Sequence, residues 1–206
     1  VNLKEVKVKN ARYTKDSYDE FNNYVGSGKE PKKDDVIPYR AFYGKKSLVY
    51  FAFPEIVTHI GPDAFRGSNL SGALILPDDV VTIGEYAFYS TNIGSVSFGN
   101  KLEEIQDDAF AECSSLSAEL RLPNFLKTIG ARGFHDCNFS GKLILPDNLE
   151  SIGEYAFASA GQFSGDLIIP VKVTEIGNQA FQYTTFTGNL VLNNCVSLGS
   201  SCFVGS

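Results

Sequence analysis

Apolar residues return along this chain at intervals of 22 to 24 residues from about position 37 onward. The clearest unit reads apolar-Gly-x-x-Ala-Phe. It appears as Ile60-Gly61-Pro62-Asp63-Ala64-Phe65 and Ile83-Gly84-Glu85-Tyr86-Ala87-Phe88. It returns as Ile105-Gln106-Asp107-Asp108-Ala109-Phe110, Ile129-Gly130-Ala131-Arg132-Gly133-Phe134, Ile152-Gly153-Glu154-Tyr155-Ala156-Phe157 and Ile176-Gly177-Asn178-Gln179-Ala180-Phe181. Degenerate copies run from Ile37 to Phe42 and from Leu198 to Phe203. A second motif keeps phase with the first: Leu74-Ile75-Leu76-Pro77, Leu120-Arg121-Leu122-Pro123, Leu143-Ile144-Leu145-Pro146 and Leu167-Ile168-Ile169-Pro170. Phe51-Ala52-Phe53-Pro54 is its aromatic form, and Val96-Ser97-Phe98 and Leu190-Val191-Leu192 lack the Pro.

Two phased motifs at this period define stacked coils that share one core, because a single coil cannot bury its own apolar face. Apolar-x-apolar is a short strand with alternate side chains on one face, and the following Pro stops it from lengthening. These strands are expected to lie in register one coil apart, as a parallel sheet of at least seven strands spanning roughly 30 Å. The Ile-Gly-x-x-Ala-Phe segment is the return limb, with Gly expected to permit a tight bend. Its Phe residues, namely Phe42, Phe65, Phe88, Phe110, Phe134, Phe157, Phe181 and Phe203, are the repeat anchors and point into the coil.

A third apolar position precedes each strand: Leu48, Leu70, Ile93, Leu116, Phe139, Phe163 and Phe186. With it, the coils starting at Leu48 and Ile93 read L-x-x-L-x-L, the strand signature of leucine-rich repeats. The combined pattern resembles the BspA-like, or Treponema-type, leucine-rich-repeat family over about residues 37–206. Cys113 and Cys137 fall where that family commonly has Cys, while Gln106 for Gly and Gly133 for Ala depart from it. The resemblance implies a right-handed solenoid of about seven to eight coils, mostly β and irregular with short helical turns. It also implies a secreted or surface-anchored protein from a host-associated bacterium or a parasitic protist. Adhesion to host or cell-surface components is the implied role, with no enzymatic activity and no ligand shared across the family.

Residues 1–36 are expected to cap the solenoid at its N-terminal end. A strand is expected over 3–8, an inward-facing aromatic turn over 16–24, a loop at 26–29 and a worn repeat from about 31. The domain division is therefore 1–36 for the cap and 37–206 for the solenoid.

Composition narrows the partners. The charge is −6, from Lys+Arg 18 and Asp+Glu 24. That balance argues against nucleic acid, whose phosphates demand concentrated Lys and Arg, and against an anionic membrane surface. No stretch of 18 apolar residues offers a transmembrane span. The chain opens at Val1 and contains no Met, so removal of an N-terminal segment is expected, with a lipid anchor one arrangement that fits a surface protein.

Candidate chemistry is sparse. His59 and His135 stand in different repeats at different positions, which suits neither a catalytic pair nor a metal site. Cys113 and Cys137 occupy equivalent positions and are expected to stack as reduced, inert thiols. Cys202 replaces the repeat Ala, Cys195 lies before the last limb, and no C-x-x-C spacing points to zinc. The Asn-x-Ser triplets at Asn69 and Asn138 overlap apolar repeat positions and read as by-products of the repeat. No cofactor or metal is expected.

The outward strand positions are the best candidates for binding. Mid-strand they are Ala52, Ile75, Ser97, Arg121, Ile144, Ile168 and Val191; the row before is Tyr50, Ala73, Ser95, Glu119, Lys142, Asp166 and Asn189. The expected contact set is Ile75, Arg121, Ile144, Ile168 and Val191, oriented by Glu119, Lys142 and Asp166. On the return limb, Glu85, Asp107, Asp108 and Glu154 read as a solubility strip, and Tyr39, Tyr86 and Tyr155 as packing between coils. The function expected is protein–protein interaction or adhesion. A carbohydrate-binding surface protein is the alternative within binding, and a polysaccharide-active enzyme on a β-helix the alternative of another class. That enzyme needs acids clustered on one outer sheet face, and the mid-strand row carries none. Oligomeric state is not legible in the sequence.

Overall fold

The computed structural model describes residues 35–195 and 197–206. The expected N-terminal cap, with its strand at 3–8 and its turn at 16–24, lies outside the described residues apart from its last two positions. The rest is a stack of coils in a parallel β-solenoid. One continuous eight-stranded parallel sheet runs along it, in chain order, through Val36–Ile37, His59–Ile60, Thr82–Ile83, Glu104–Ile105, Thr128–Ile129, Ser151–Ile152, Glu175–Ile176 and Ser197–Leu198. Each repeat Ile pairs with the repeat Ile one coil away, as in Ile60 with Ile83 and Ile105 with Ile129.

The sheet is parallel, as expected, but its place in the coil differs from the sequence reading. The continuous ladder passes through the start of the return limb, not through the apolar-x-apolar strands. Those strands pair only two at a time: Ser71–Ile75 with Asn92–Ser97, Glu119–Arg121 with Ser140–Ile144, Gln162–Phe163 with Thr185–Phe186, and Leu167–Ile168 with Leu190–Val191. Ile75 and Ile144 therefore belong to different hydrogen-bonded ladders.

The limb is also the part of the coil whose length does not vary. From the repeat Ile or Leu to its Phe is five residues in every copy. From Phe to the last residue of the next outer strand is 10 in one coil, 11 in most and 12 in two. Insertions thus fall just upstream of the outer strands. Register shifts appear there, between Gly72 and Ala73 and between Glu119 and Arg121. The constant limb keeps its register. Coils on the broken side stay tied by single bonds, such as Ser117 N donating to Gly94 O at 3.3 Å and Ser164 N to Gly141 O at 2.6 Å.

The repeat Phe residues form a column of stacked rings. From Phe42 through Phe65, Phe88, Phe110, Phe134, Phe157 and Phe181 to Phe203, successive centroids lie 5.1, 5.2, 5.1, 5.5, 5.4, 5.3 and 5.3 Å apart. All are fully buried except the two end rings. A second, shorter column joins Phe139, Phe163 and Phe186. The column follows from the backbone: each Phe N–H donates to the following coil, as Phe65 N does to Ala87 O at 2.7 Å and Phe134 N to Ala156 O at 2.8 Å. Ring spacing is thus set by coil spacing.

The limb turns by a route the sequence reading did not anticipate. The bend residue is not the repeat Gly but the fourth residue of the motif. Asp63, Tyr86, Asp108, Arg132, Tyr155 and Gln179 all take left-handed backbone conformations, with φ between 53° and 55°. That conformation costs about 1–2 kcal/mol per non-Gly residue. It recurs because it aims each N–H at a carbonyl of the next coil, as Asp63 N at Glu85 O and Arg132 N at Glu154 O, both 2.8 Å. The repeat Gly serves close approach instead. A Cβ on Gly153 would sit 2.5 Å from Ala131 N, and one on Gly177 2.4 Å from Glu154 N.

In four coils the third residue after Phe carries a side-chain donor that closes the coil. Cys113 Sγ donates to Phe88 O at 3.1 Å, Cys137 Sγ to Phe110 O at 3.3 Å and Ser206 Oγ to Phe181 O at 2.8 Å. Thr184 Oγ1 donates to Phe157 O in the same way. Thiol and hydroxyl fill one role: they satisfy a buried carbonyl of the preceding coil.

Candidate binding face

The outer face is built by alternation. In Ser71–Ile75 and Ser140–Ile144 the Leu before the last residue is buried and the last residue exposed. Every mid-strand residue expected to point outward does so. Ile75 is 70% exposed, Ile144 68%, Ile168 53% and Val191 39%. Arg121 and Ile144 are registered partners, as are Ile168 and Val191. Ile144, Ile168 and Val191 hold the same slot on three successive coils, with Ile168 and Val191 in register, and make one aliphatic strip. Arg121 ends the strip on one side.

The polar row beside it divides into committed and uncommitted groups. Arg121 Nη2 donates to Glu119 Oε2 at 2.9 Å, so that pair satisfies itself. Asp166 Oδ1 accepts from Asn189 N at 2.6 Å and from Asn189 Nδ2 at 3.1 Å. Lys142 is exposed and has no ion-pair partner among the described residues; its stem leans toward Gly165. Of the three residues expected to orient a partner, Lys142 is the one whose charged group makes no hydrogen bond or ion pair among the described residues.

At the N-terminal half of the same face lies a groove of about 440 Å³. Tyr50, Ala52, Ala73 and Ile75 line it, with Glu55, Asp78 and Asp79 on its rim. The sequence reading missed it, and also missed exposed apolar residues on the adjoining ridge: Ile56, Phe125 and Val171. Their signal was position, one or two residues after the strand-ending Pro54, Pro123 and Pro170.

The return limb is not a simple solubility strip. Asp108 and Asp63 are buried. Arg132 Nε and Nη2 grip Asp108 Oδ1 and Oδ2, both at 2.8 Å, across one coil step. Asp63 accepts from Arg40 at 3.1 Å and Arg66 at 3.0 Å. Asp107 Oδ1 accepts from Ala131 N at 2.7 Å. The Arg66 guanidinium lies 4.4 Å from the Tyr86 ring centre and 4.9 Å from that of Tyr89, so these rings face a cation of their own chain. The Tyr89 hydroxyl donates to Glu112, which, with partial burial, pushes its pKa up to about 12. A smaller recess of about 200 Å³ near Glu104 and Asp107 holds Gln106, whose Oε1 is buried without a partner.

The histidines do not converge: His59 Nδ1 sits 2.9 Å from Thr58 Oγ1, and His135 Nδ1 3.5 Å from Asp136. All four thiols are free. Burial pushes Cys113 up to about 11 and Cys137 well above the usual thiol range. Among the described residues no group of three His, Cys, Asp or Glu is arranged to hold a metal. No helix among them is long and apolar enough to cross a membrane.

A parallel solenoid whose regular feature is an outer face, with its polar clusters spent on holding coils together, defines a leucine-rich-repeat protein. Such repeat proteins are generally non-enzymatic and act as binding scaffolds. The chain belongs to the BspA type leucine rich repeat family, whose model matches six copies over residues 35–160 and 118–206. Among solved structures it is similar to a leucine-rich repeat protein from Bacteroides ovatus ATCC 8483. The two are 19% identical, with 85% of this chain and 69% of that one covered and a TM-score of 0.41. It is also similar to a leucine-rich repeat protein from Eubacterium ventriosum ATCC 27560, at 18% identity, 78% and 54% coverage and a TM-score of 0.45. No curated protein matches the chain.

Proposed function

We propose that this chain is the binding module of a secreted or cell-surface protein, and that it holds a protein partner against its outer face. The observation that carries this reading is the strip formed by Ile144, Ile168 and Val191 on successive coils, all exposed. Single exposed aliphatics are ordinary on a soluble protein, whereas a contiguous row of them marks a contact surface. Lys142 beside the strip supplies a charge to orient the partner, with Arg121, Glu119 and Asp166 at its margins. Ile75 extends the face toward the other end. The family's surface-associated character agrees with this placement. Adhesion to host or cell-surface proteins is the specific role we assign.

The test is an array of purified matrix proteins and glycans probed with the wild-type chain, then with two variants. Ile144→Glu with Ile168→Glu removes binding to the protein identified and leaves the melting profile close to wild type, because neither side chain is in the core. Glu154→Lys on the return limb leaves binding intact. A silent double variant together with loss in Glu154→Lys places the site on the limb and overturns the reading. Binding confined to glycans overturns the choice of a protein partner.

A further inference from the structure

We infer that the groove at the N-terminal half of the outer face receives a basic side chain from an extended polypeptide partner. This inference rests on the reading that the outer face binds protein, and it names the chemistry of one subsite. The depression has a simple origin. Ala52 and Ala73 place small side chains between two large exposed ones, Tyr50 and Ile75, so the surface sinks between them. Pro54 and Pro77 stiffen the end of the groove where the strands stop.

Charge selects the occupant. The lining holds three carboxylates and no cation. Asp79 is already paired with Lys101. Asp78 has a long contact from Asn100 Nδ2, at 3.5 Å, and shares the field of Lys101 with Asp79, and Glu55 is exposed with no partner among the described residues. An apolar channel that ends in three carboxylates against the single cation of Lys101 matches a long aliphatic stem tipped by a cation. The stem of an arginine or lysine lies along Tyr50 and Ile75, its charge meets Glu55 and Asp78, and the Tyr50 ring adds a face that attracts cations. A neutral glycan leaves the excess negative charge of Glu55 and Asp78 unanswered, and an acidic segment is repelled. The basic partner residue at this end and an acidic one opposite Lys142 would fix the partner's direction along the solenoid.

The experiment uses the whole chain labelled with 15N and titrated with three tripeptides blocked at both ends: leucyl-arginyl-leucine, its citrulline counterpart and its glutamyl counterpart. Cellotetraose serves as the glycan probe. The arginyl peptide gives saturable amide shifts over residues 50–55 and 73–79. The citrullyl peptide, equal in shape without the charge, binds about fivefold more weakly, and the glutamyl peptide gives no saturable shift. Glu55→Gln with Asp78→Asn removes the difference between arginyl and citrullyl peptides while the melting profile is unchanged. Equal response to all three peptides, shifts centred elsewhere, or saturation by cellotetraose alone overturns the inference. If the arginyl peptide fails here while Ile144→Glu with Ile168→Glu still abolishes binding of a protein ligand, only this subsite falls. If the peptide binds and that double variant is silent, the subsite stands and the broader face reading falls.

Discussion

Truncating one ring of the Phe column tests whether the coils share a single core. Phe110 is fully buried. It stacks on Phe88 at 5.1 Å and on Phe134 at 5.5 Å, with ring planes inclined by 12° and 11°, and Phe98 meets its edge at 5.8 Å. Removing an enclosed Phe side chain costs about 3–5 kcal/mol, combining lost transfer energy with the cavity left behind. The top of that range applies here. The limb backbone is pinned by Phe110 N donating to Gly133 O at 2.9 Å, so the site cannot collapse, and each ring pair adds about 0.5–1.5 kcal/mol beyond area. Phe203 supplies the internal control. It has the same place in the motif but, among the described residues, stacks on Phe181 alone, and it is partly exposed. Phe203→Ala should cost about 1–2 kcal/mol, since only part of the ring leaves water. Phe110→Leu keeps most of the volume and should cost under about 1.5 kcal/mol. The assay is equilibrium unfolding in urea, followed by far-ultraviolet circular dichroism, with midpoint and slope fitted separately. Equal losses at Phe110 and Phe203, or a loss near zero at Phe110, would refute the shared column. A second transition in Phe110→Ala alone would mean that the solenoid has parted at the missing ring.

Three further outcomes follow from the same geometry. A thiol reagent added to the native chain should label Cys195 before Cys113 or Cys137, which react only on unfolding; because hydroxyls fill the same slot at Thr184 and Ser206, Cys113→Ser should be tolerated better than Cys113→Val, read by the urea midpoint. The raised Cys113 pKa favours the protonated thiol in the folded state, so its contribution is complete below the unfolded value of 9.0 and is lost as pH rises through about 11; stability should fall over that window, and less steeply in Cys113→Ser. Gly153→Ala should cost about 1–3 kcal/mol through overpacking, since the added Cβ meets backbone at 2.5 Å, and a neutral result would mean that coil spacing is slack.

The sequence by itself determined the repeat. A fixed five-residue step from Ile or Leu to Phe, and an apolar pair that ends seven residues before the next limb in all copies but the last, where it is six, leave one arrangement in which every apolar face is covered, namely coils stacked with like residues on like. The Phe column, the buried thiols and the outward set from Ile75 to Val191 all follow from that phasing, because a residue's slot in the coil fixes whether it faces core or solvent. Tertiary structure decided where backbone hydrogen bonding is continuous. The apolar-x-apolar segments look more like strands than Thr82–Ile83 does, yet they form only short ladders. The spacing upstream of them varies and two of their ladders carry a register shift, whereas the constant limb keeps its pairing through eight strands. Tertiary structure also decided what the acids do. Glu154 and Asp108 occupy neighbouring slots in the motif and read alike in sequence, but the left-handed turn at Asp108 brings its carboxylate against Arg132 one coil away. Such a pair, like the groove between Tyr50 and Ile75, exists only between coils and depends on side chains about 23 residues apart, which no local pattern records.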